Sequence, residues 1–548
     1  MYKTNINIRK VAIDMKRRSQ CGITLVALVV MIMILLILAG VSINLVLGQN
    51  GLITQAKEAK RKTGETTNQE LSEIEFAQAQ IEIESQTDYK NNVNRPNLKV
   101  GMTPIYFVQN GNNYEVKTTN DSDSNWYDYD EKHWANTQTE DGSMWVWIPR
   151  FAYKLNNDNK TFDVKFLIGT TDYFYNDKGK LQKATRATAD SSPDTTKEYA
   201  VHPAFANESD MGFRDGGWDS ELTGIWVAKF EAGYADIGSQ QESTENYTQN
   251  ISNIYGSYNT STKMTYPLFQ GLKISYNYIS NGDAYTLCKA MKNTGNIYGL
   301  ANDTDSHLMK NSEWGACSYL GQSQYGLNGI NIYVNNVNIN ESTAKGNAVT
   351  GVCGINEAEN TYDASSNPTI TLDNIKSENA NNVKLWNTMA GIKASSSGTV
   401  YGIYDLSGGL WERTATYIAN NNESLEYGKS FTNYTKQTTN YNVKSSKYYT
   451  VYQSKNSEEN DYTTASVNNW KYNKALSIKI FGDAVLEVST NGKGSTSYYN
   501  DYSNFPAMYN PFFYRGGMWA DGSATGVFAF ACTNGNPLSY NGFRAVLI

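Results

Sequence analysis

Between Gly22 and Leu47 the only polar side chains are Thr24, Ser42 and Asn44. As a helix this run spans about 39 Å at the usual rise, enough for a hydrocarbon core of roughly 30 Å. The apolar core of a signal peptide is shorter, about 7–15 residues, and ends at a small-residue cleavage site. Ahead of the run stand Lys3, Arg9, Lys10, Lys16, Arg17 and Arg18 against Asp14 alone. That excess of positive charge places the amino terminus in the cytoplasm and residues beyond 50 outside.

A basic leader ending in Gly22, followed by Ile23-Thr24-Leu25 and an apolar run, resembles the signal of type IV prepilins. The resemblance implies cleavage between Gly22 and Ile23 by a prepilin peptidase, and packing of the freed helix with other pilin subunits. Ala27 stands at the fifth mature position, where pilins usually carry Glu. An uncleaved anchor is the alternative. Beyond Gly48, Leu71, Ile74, Gln78 and Ile81 are spaced along one helix face, and residues 91–99 read as a linker.

Past residue 100 the texture changes to short aromatic strands between Asn, Asp, Gly and Ser clusters. In "SMWVWIPRFAYKL" Trp145, Trp147 and Phe151 alternate in strand fashion, as do Ile225, Val227 and Lys229 in "TGIWVAKFEAGY". A helix is expected over 305–322, with Leu308, Trp314, Cys317 and Leu320 on one face. The 40 tyrosines, 10 prolines and net charge of −7 suit a loop-rich surface domain and exclude a nucleic-acid binder, which needs clustered cations. His133, His202 and His307 lie far apart, so no His-based metal site is expected. Cys288, Cys317, Cys353 and Cys532 show no framework spacing, which favours buried free thiols over bridges.

Three pieces in order carry a second resemblance. They are "LMKNSEWGACSYL" with Glu313 and Trp314, "GIYDLSGGLWERT" with Trp411 and Glu412, and a tail that runs from Arg515-Gly516-Gly517 to Gly542-Phe543-Arg544. Together they resemble the formylglycine-generating-enzyme branch of the C-type lectin fold. The implied fold class is an N-terminal transmembrane or pilin-like helix plus an α+β C-type-lectin-like domain, loop-rich with short strands. The implied division is leader 1–22, core helix 23–48, stalk and linker 49–99, a β-rich part 100–235 and a lectin-like domain 236–548.

The enzymes of that branch carry two cysteines shortly after the Arg-Gly-Gly. Here Asp521 and Gly526 stand near those places and Cys532 is alone, so no catalytic residue is assigned and no enzyme is expected. Gly409 replaces an Asn of the second motif, which leaves a structural calcium without support and no cofactor expected.

The same branch includes the variable proteins of diversity-generating retroelements, whose tails bind ligand. By that resemblance 515–548 is the variable binding region. Met518, Trp519, Ala520, Asp521, Ser523, Ala524, Thr533, Asn534, Asn536, Leu538, Tyr540 and Asn541 are its ligand-facing positions. Tyr and Trp offer broad contact at low entropy cost, and Asn and Ser adaptable hydrogen bonds. Residues 415–505 read as an insertion, with "ALSIKIFGDAVLEVST" as strand. The expected protein is a bacterial, membrane-anchored or pilus-associated receptor or adhesin with its carboxyl-terminal domain outside the cell. Its expected partner is a protein or glycan on another cell, phage or host surface. A formylglycine-generating-type oxidase and a structural minor pseudopilin are the rival readings.

Overall fold

The computed structural model divides the chain into two compact units, Met1–Thr87 and Asp88–Ile548. It describes 93–548 apart from 189–190, 208–214, 235–265, 340–346, 355–368, 377–382, 420–424, 434–442, 454–469, 472 and 475–479. Of the first unit only Ile74, Phe76, Ala77 and Ile81 are described, all helical. The leader, the apolar run and the cleavage pair Gly22 and Ile23 lie outside the described residues.

The expected fold class is corrected. Among the described residues the chain is built mainly from β-strands in six sheets, with four α-helices. The longest of these, Asn311–Gly321, has 11 residues, and none is long and apolar enough to cross a membrane. The physical reason lies in the composition: strand-forming aromatics recur between Asn, Gly and Ser turns, and each turn ends an element before a long helix can propagate.

The first large sheet runs in the order Ser306–Leu308, Ala545–Leu547, Gly224–Ala228, Met144–Pro149, Asn136–Gln138, Thr103–Asn110, Asn113–Thr118. Its pairs are antiparallel throughout. It joins strands from both sides of position 235. Met144–Pro149 and Gly224–Ala228 are buried at every residue, so the expected in–out alternation is absent because both faces are covered. Phe151 opens a different, three-stranded sheet made with Thr161–Phe166 and Ala200–Val201.

The second large sheet runs Thr450–Gln453, Trp411–Ala419, Phe512–Arg515, Phe530–Thr533, Tyr502–Asn504, Lys493–Ser495, with Asn541–Phe543 alongside Trp411–Arg413. Arg544 alone separates Asn541–Phe543 in this sheet from Ala545–Leu547 in the first.

Three local expectations change. Leu308 belongs to a strand, and the helix begins only at Asn311, where the Glu313 carboxylate reaches back to the Lys310 N–H at 2.8 Å. That helix is buried on every side, so it shows no single apolar face. The described part of the 475–490 segment is a buried turn, in which the Asp483 carboxylate accepts from the Val485 and Leu486 N–H groups. The expected linker is built in from Val93 onward. Asn94 bonds Gly169 and Thr223, and its own carbonyl, like that of Asn97, receives a buried indole N–H, from Trp147 and Trp226 respectively. Seating each indole N–H on a carbonyl lets these large rings be buried without an orphaned donor.

Candidate functional site

The three motifs meet at the seam between the two sheets. The Arg544 guanidinium is fully buried and grips Glu412 through bonds of 2.9 and 2.5 Å. Its other donors go to the Ala228 and Tyr404 carbonyls, both at 2.8 Å. Asp405 and Glu231 complete the cluster. Burial pushes the Asp405 carboxyl up to about 6 against the pull of Arg544. Burial, then Asp405 and Glu412, push Glu231 well above the ordinary carboxyl range.

These carboxyls are committed to the fold. Asp405 accepts from Asn335 at 2.9 Å and from the Gly351 N–H at 3.0 Å. Glu231 accepts from the Leu410 N–H at 3.0 Å and from the Ser275 hydroxyl. Gly409 has φ +74°, and a Cβ there would stand 2.8 Å from a Glu231 oxygen, so an Asn would displace the Glu231 carboxyl. Among the described residues no group of His, Cys, Asp and Glu is arranged to hold a metal ion.

Arg515 is equally buried and donates to the Asp483, Ala484 and Ala529 carbonyls at 3.1, 2.8 and 3.2 Å. Its guanidinium lies 5.4 Å from the centre of the Trp314 ring, and burial lowers its pKa to about 10. Trp314 in turn donates to the Val527 carbonyl at 2.8 Å. Gly516 and Gly517 turn the chain out of the sheet at φ +87° and +81°. A Cβ on Gly517 would fall 2.8 Å from the Thr525 backbone. Phe543 is buried in the main core, and Gly542 pairs with Glu412.

From this base two loops emerge. In the first, the Trp519 N–H reaches the Gly409 carbonyl at 2.8 Å and the Met518 N–H reaches the Asp521 carboxylate at 3.0 Å. Burial raises the Asp521 pKa, while bonds from Met518 and the Trp411 side chain oppose that rise, so this residue braces its own loop. Ala520 and Ser523 are exposed, and Met518, Trp519, Asp521 and Ala524 are half-buried.

The second loop, 533–541, is held by its backbone. The Asn281 N–H donates to Gly535, Tyr278 to Leu538 and Trp411 to Tyr540. Asn277 donates its side-chain amide to the Ser539 carbonyl at 3.0 Å, and the Arg413 guanidinium donates to Asn536. The side chains of Asn534, Asn536, Leu538 and Tyr540 are left half-buried at the surface. Two expected ligand-facing positions are corrected. Thr533 is only 6% exposed because it ends a strand opposite Phe512, and Asn541 is fully buried because it opens one beside Trp411.

Between the loops lies an aromatic floor. Trp411, Ala529 and Ala531 are buried, with Tyr502, Tyr514, Met518 and Tyr540 packed over them. Trp411 and Tyr514 meet edge to face at 4.4 Å. Sequence reasoning missed Arg413, Tyr502 and Tyr514. Strand alternation after Glu412 gives a signal for Arg413, which must point to the opposite face; no sequence signal marks the anchors Asn277, Tyr278 and Asn281.

All four described thiols are free, and burial raises the pKa of each, Cys532 to about 12. At Gly526 a Cβ would fall 2.1 Å from the Asp501 carboxyl. No protein-family model matches the chain, and no curated protein matches it.

Proposed function

We propose that the carboxyl-terminal loops form a ligand-binding face whose backbone is fixed by the scaffold and whose side chains are exchangeable. The observation that carries this is the second loop. Five of its carbonyls, Gly535, Asn536, Leu538, Ser539 and Tyr540, are held by residues outside it, while the side chains of Asn534, Asn536, Leu538, Ser539 and Tyr540 stand half-buried at the surface. Substituting those side chains leaves the anchoring bonds intact. The resemblance to variable proteins of diversity-generating retroelements supports the same reading.

The ligand class is a protein or glycan on another cell, phage or host surface. Presentation outside the cell rests on the sequence of residues 1–47 alone, and protease accessibility on intact cells tests it. The oxidase alternative gains nothing from the geometry, since Gly526 has no space for a cysteine side chain and the one nearby thiol, Cys532, is held protonated.

The test pairs the wild-type chain with a variant carrying Ser523→Ala, Asn534→Ala, Asn536→Ala and Tyr540→Ala on glycan arrays and bacterial surfaces. Binding lost only in the variant, with folding unchanged, supports the reading. Equal binding by both, or silence from the wild type across the panels, counts against it and favours an assembly role. Amplicon sequencing of codons 510–548 across a growing population tests diversification separately.

A further inference from the structure

Asp501 lies outside every motif, immediately before the strand Tyr502–Asn504, after a turn in which Tyr499 and Asn500 take φ +59° and +67°. It is 1% exposed. One carboxyl oxygen accepts from the Phe528 N–H at 2.9 Å, and the other is buried with no partner among the described residues. The carboxyl also fills the space beside Gly526 that a Cβ would need. It therefore touches Gly526 and Phe528, two residues of the limb by which the first loop returns to the sheet.

Among the described residues, Lys160, Arg515 and Tyr499 interact with it electrostatically. Arg515 places three of its five N–H donors on carbonyls, and the Lys160 ammonium lies 5.8 Å from the Tyr499 ring. An ionised Asp501 would be a buried charge with one N–H and, among the described residues, no ion pair, a costly state. Tyr499 stacks on Phe528 at 5.9 Å, so the loop stem and the carboxyl share one packed site.

We propose that Asp501 is a protonation-controlled latch: its neutral carboxyl seals the base of the 518–528 loop, and its ionisation releases it. Its bearing on ligand affinity rests on the binding face proposed above; the latch itself does not. Burial raises the Asp501 pKa to about 8. Opening restores an ordinary carboxyl, so the closed loop is favoured at low pH and loses ground as pH rises towards 8.

Hydrogen exchange on the full chain, corrected for intrinsic rates, reads this at the amides of 526–529, with the strand Gly224–Ala228 as control. Protection at 526–529 is expected to fall by up to about tenfold per pH unit from pH 5 and to level off above about 8. Asp501→Asn, which keeps an acceptor for Phe528 and carries no charge, is expected to abolish that slope. Parallel profiles in the two proteins overturn the latch. A carbon-13 aspartate titration of the wild type decides the matter even if the variant misfolds: an Asp501 carboxyl that ionises near pH 4 overturns it. Neither measurement uses a ligand, so failure of the latch and failure of the binding face are separate results.

Discussion

Arg544 and Glu412 hold each other through two bonds, at 2.9 and 2.5 Å, where neither side chain reaches water. Arg544 is also the one residue between the last strand of each large sheet. The pair thus fixes where the tail passes from the binding-loop sheet to the first. Removing one partner leaves the other buried and uncompensated, so Arg544→Met is expected to cost about 3–5 kcal/mol. Adding Glu412→Leu to that variant should recover part of the loss. Urea unfolding of the single and double variants measures both effects.

Gly516 and Gly517 occupy the left-handed region, and a Cβ on either presses on its surroundings. Gly517→Ala is expected to destabilise by about 1–3 kcal/mol. Ser523→Ala, on an exposed position of the same loop, should stay within about 0.5 kcal/mol. Denaturation midpoints compare the two.

Arg413 ties the second loop to Ile279, Asn281 and Asn536. Arg413→Met should cost about 2–3 kcal/mol and strip exchange protection from the amides of 535–541. Asn534→Ala, which removes only the bond its side chain accepts from the Asn536 N–H at 3.1 Å, should cost about 1 kcal/mol and affect that amide alone.

His307 is fully buried between Glu313 and Asp305, at 2.8 and 3.3 Å. Burial works against its charge, but the two carboxylates outweigh it and raise the pKa to about 9. A raised histidine pKa stabilises the fold fully below about 6.5, and that contribution is lost as pH climbs through about 9. The loss amounts to about 3 kcal/mol at most. Melting temperatures between pH 6 and 9.5 should fall more steeply for the wild type than for His307→Gln.

Parts of this arrangement were legible in the sequence because they obey local rules. The strands around Trp145 and Trp226 follow from their aromatic, turn-bounded text. Arg515-Gly516-Gly517 announces a turn that only glycine takes. Other parts depend on contacts distant in sequence. The alternation expected near Trp147 fails because a second layer covers the sheet. Leu308 is drawn into a strand by Ala545, more than two hundred positions away. Thr533 and Asn541 read as surface loop by composition, yet strand pairing with Phe512 and Trp411 buries them. Asp501 carries no motif, and its place beneath Gly526 is set only when the insertion packs against the tail.

The most direct test of the central claim is a deep mutational scan of codons 510–548, read for folded protein. Broad tolerance is predicted at Ala520, Ser523, Asn534, Asn536, Leu538 and Tyr540, against intolerance at Arg515, Gly516, Gly517, Gly542, Phe543 and Arg544. Uniform tolerance across the tail, or surface positions as restricted as Arg515, would contradict a fixed scaffold carrying exchangeable side chains.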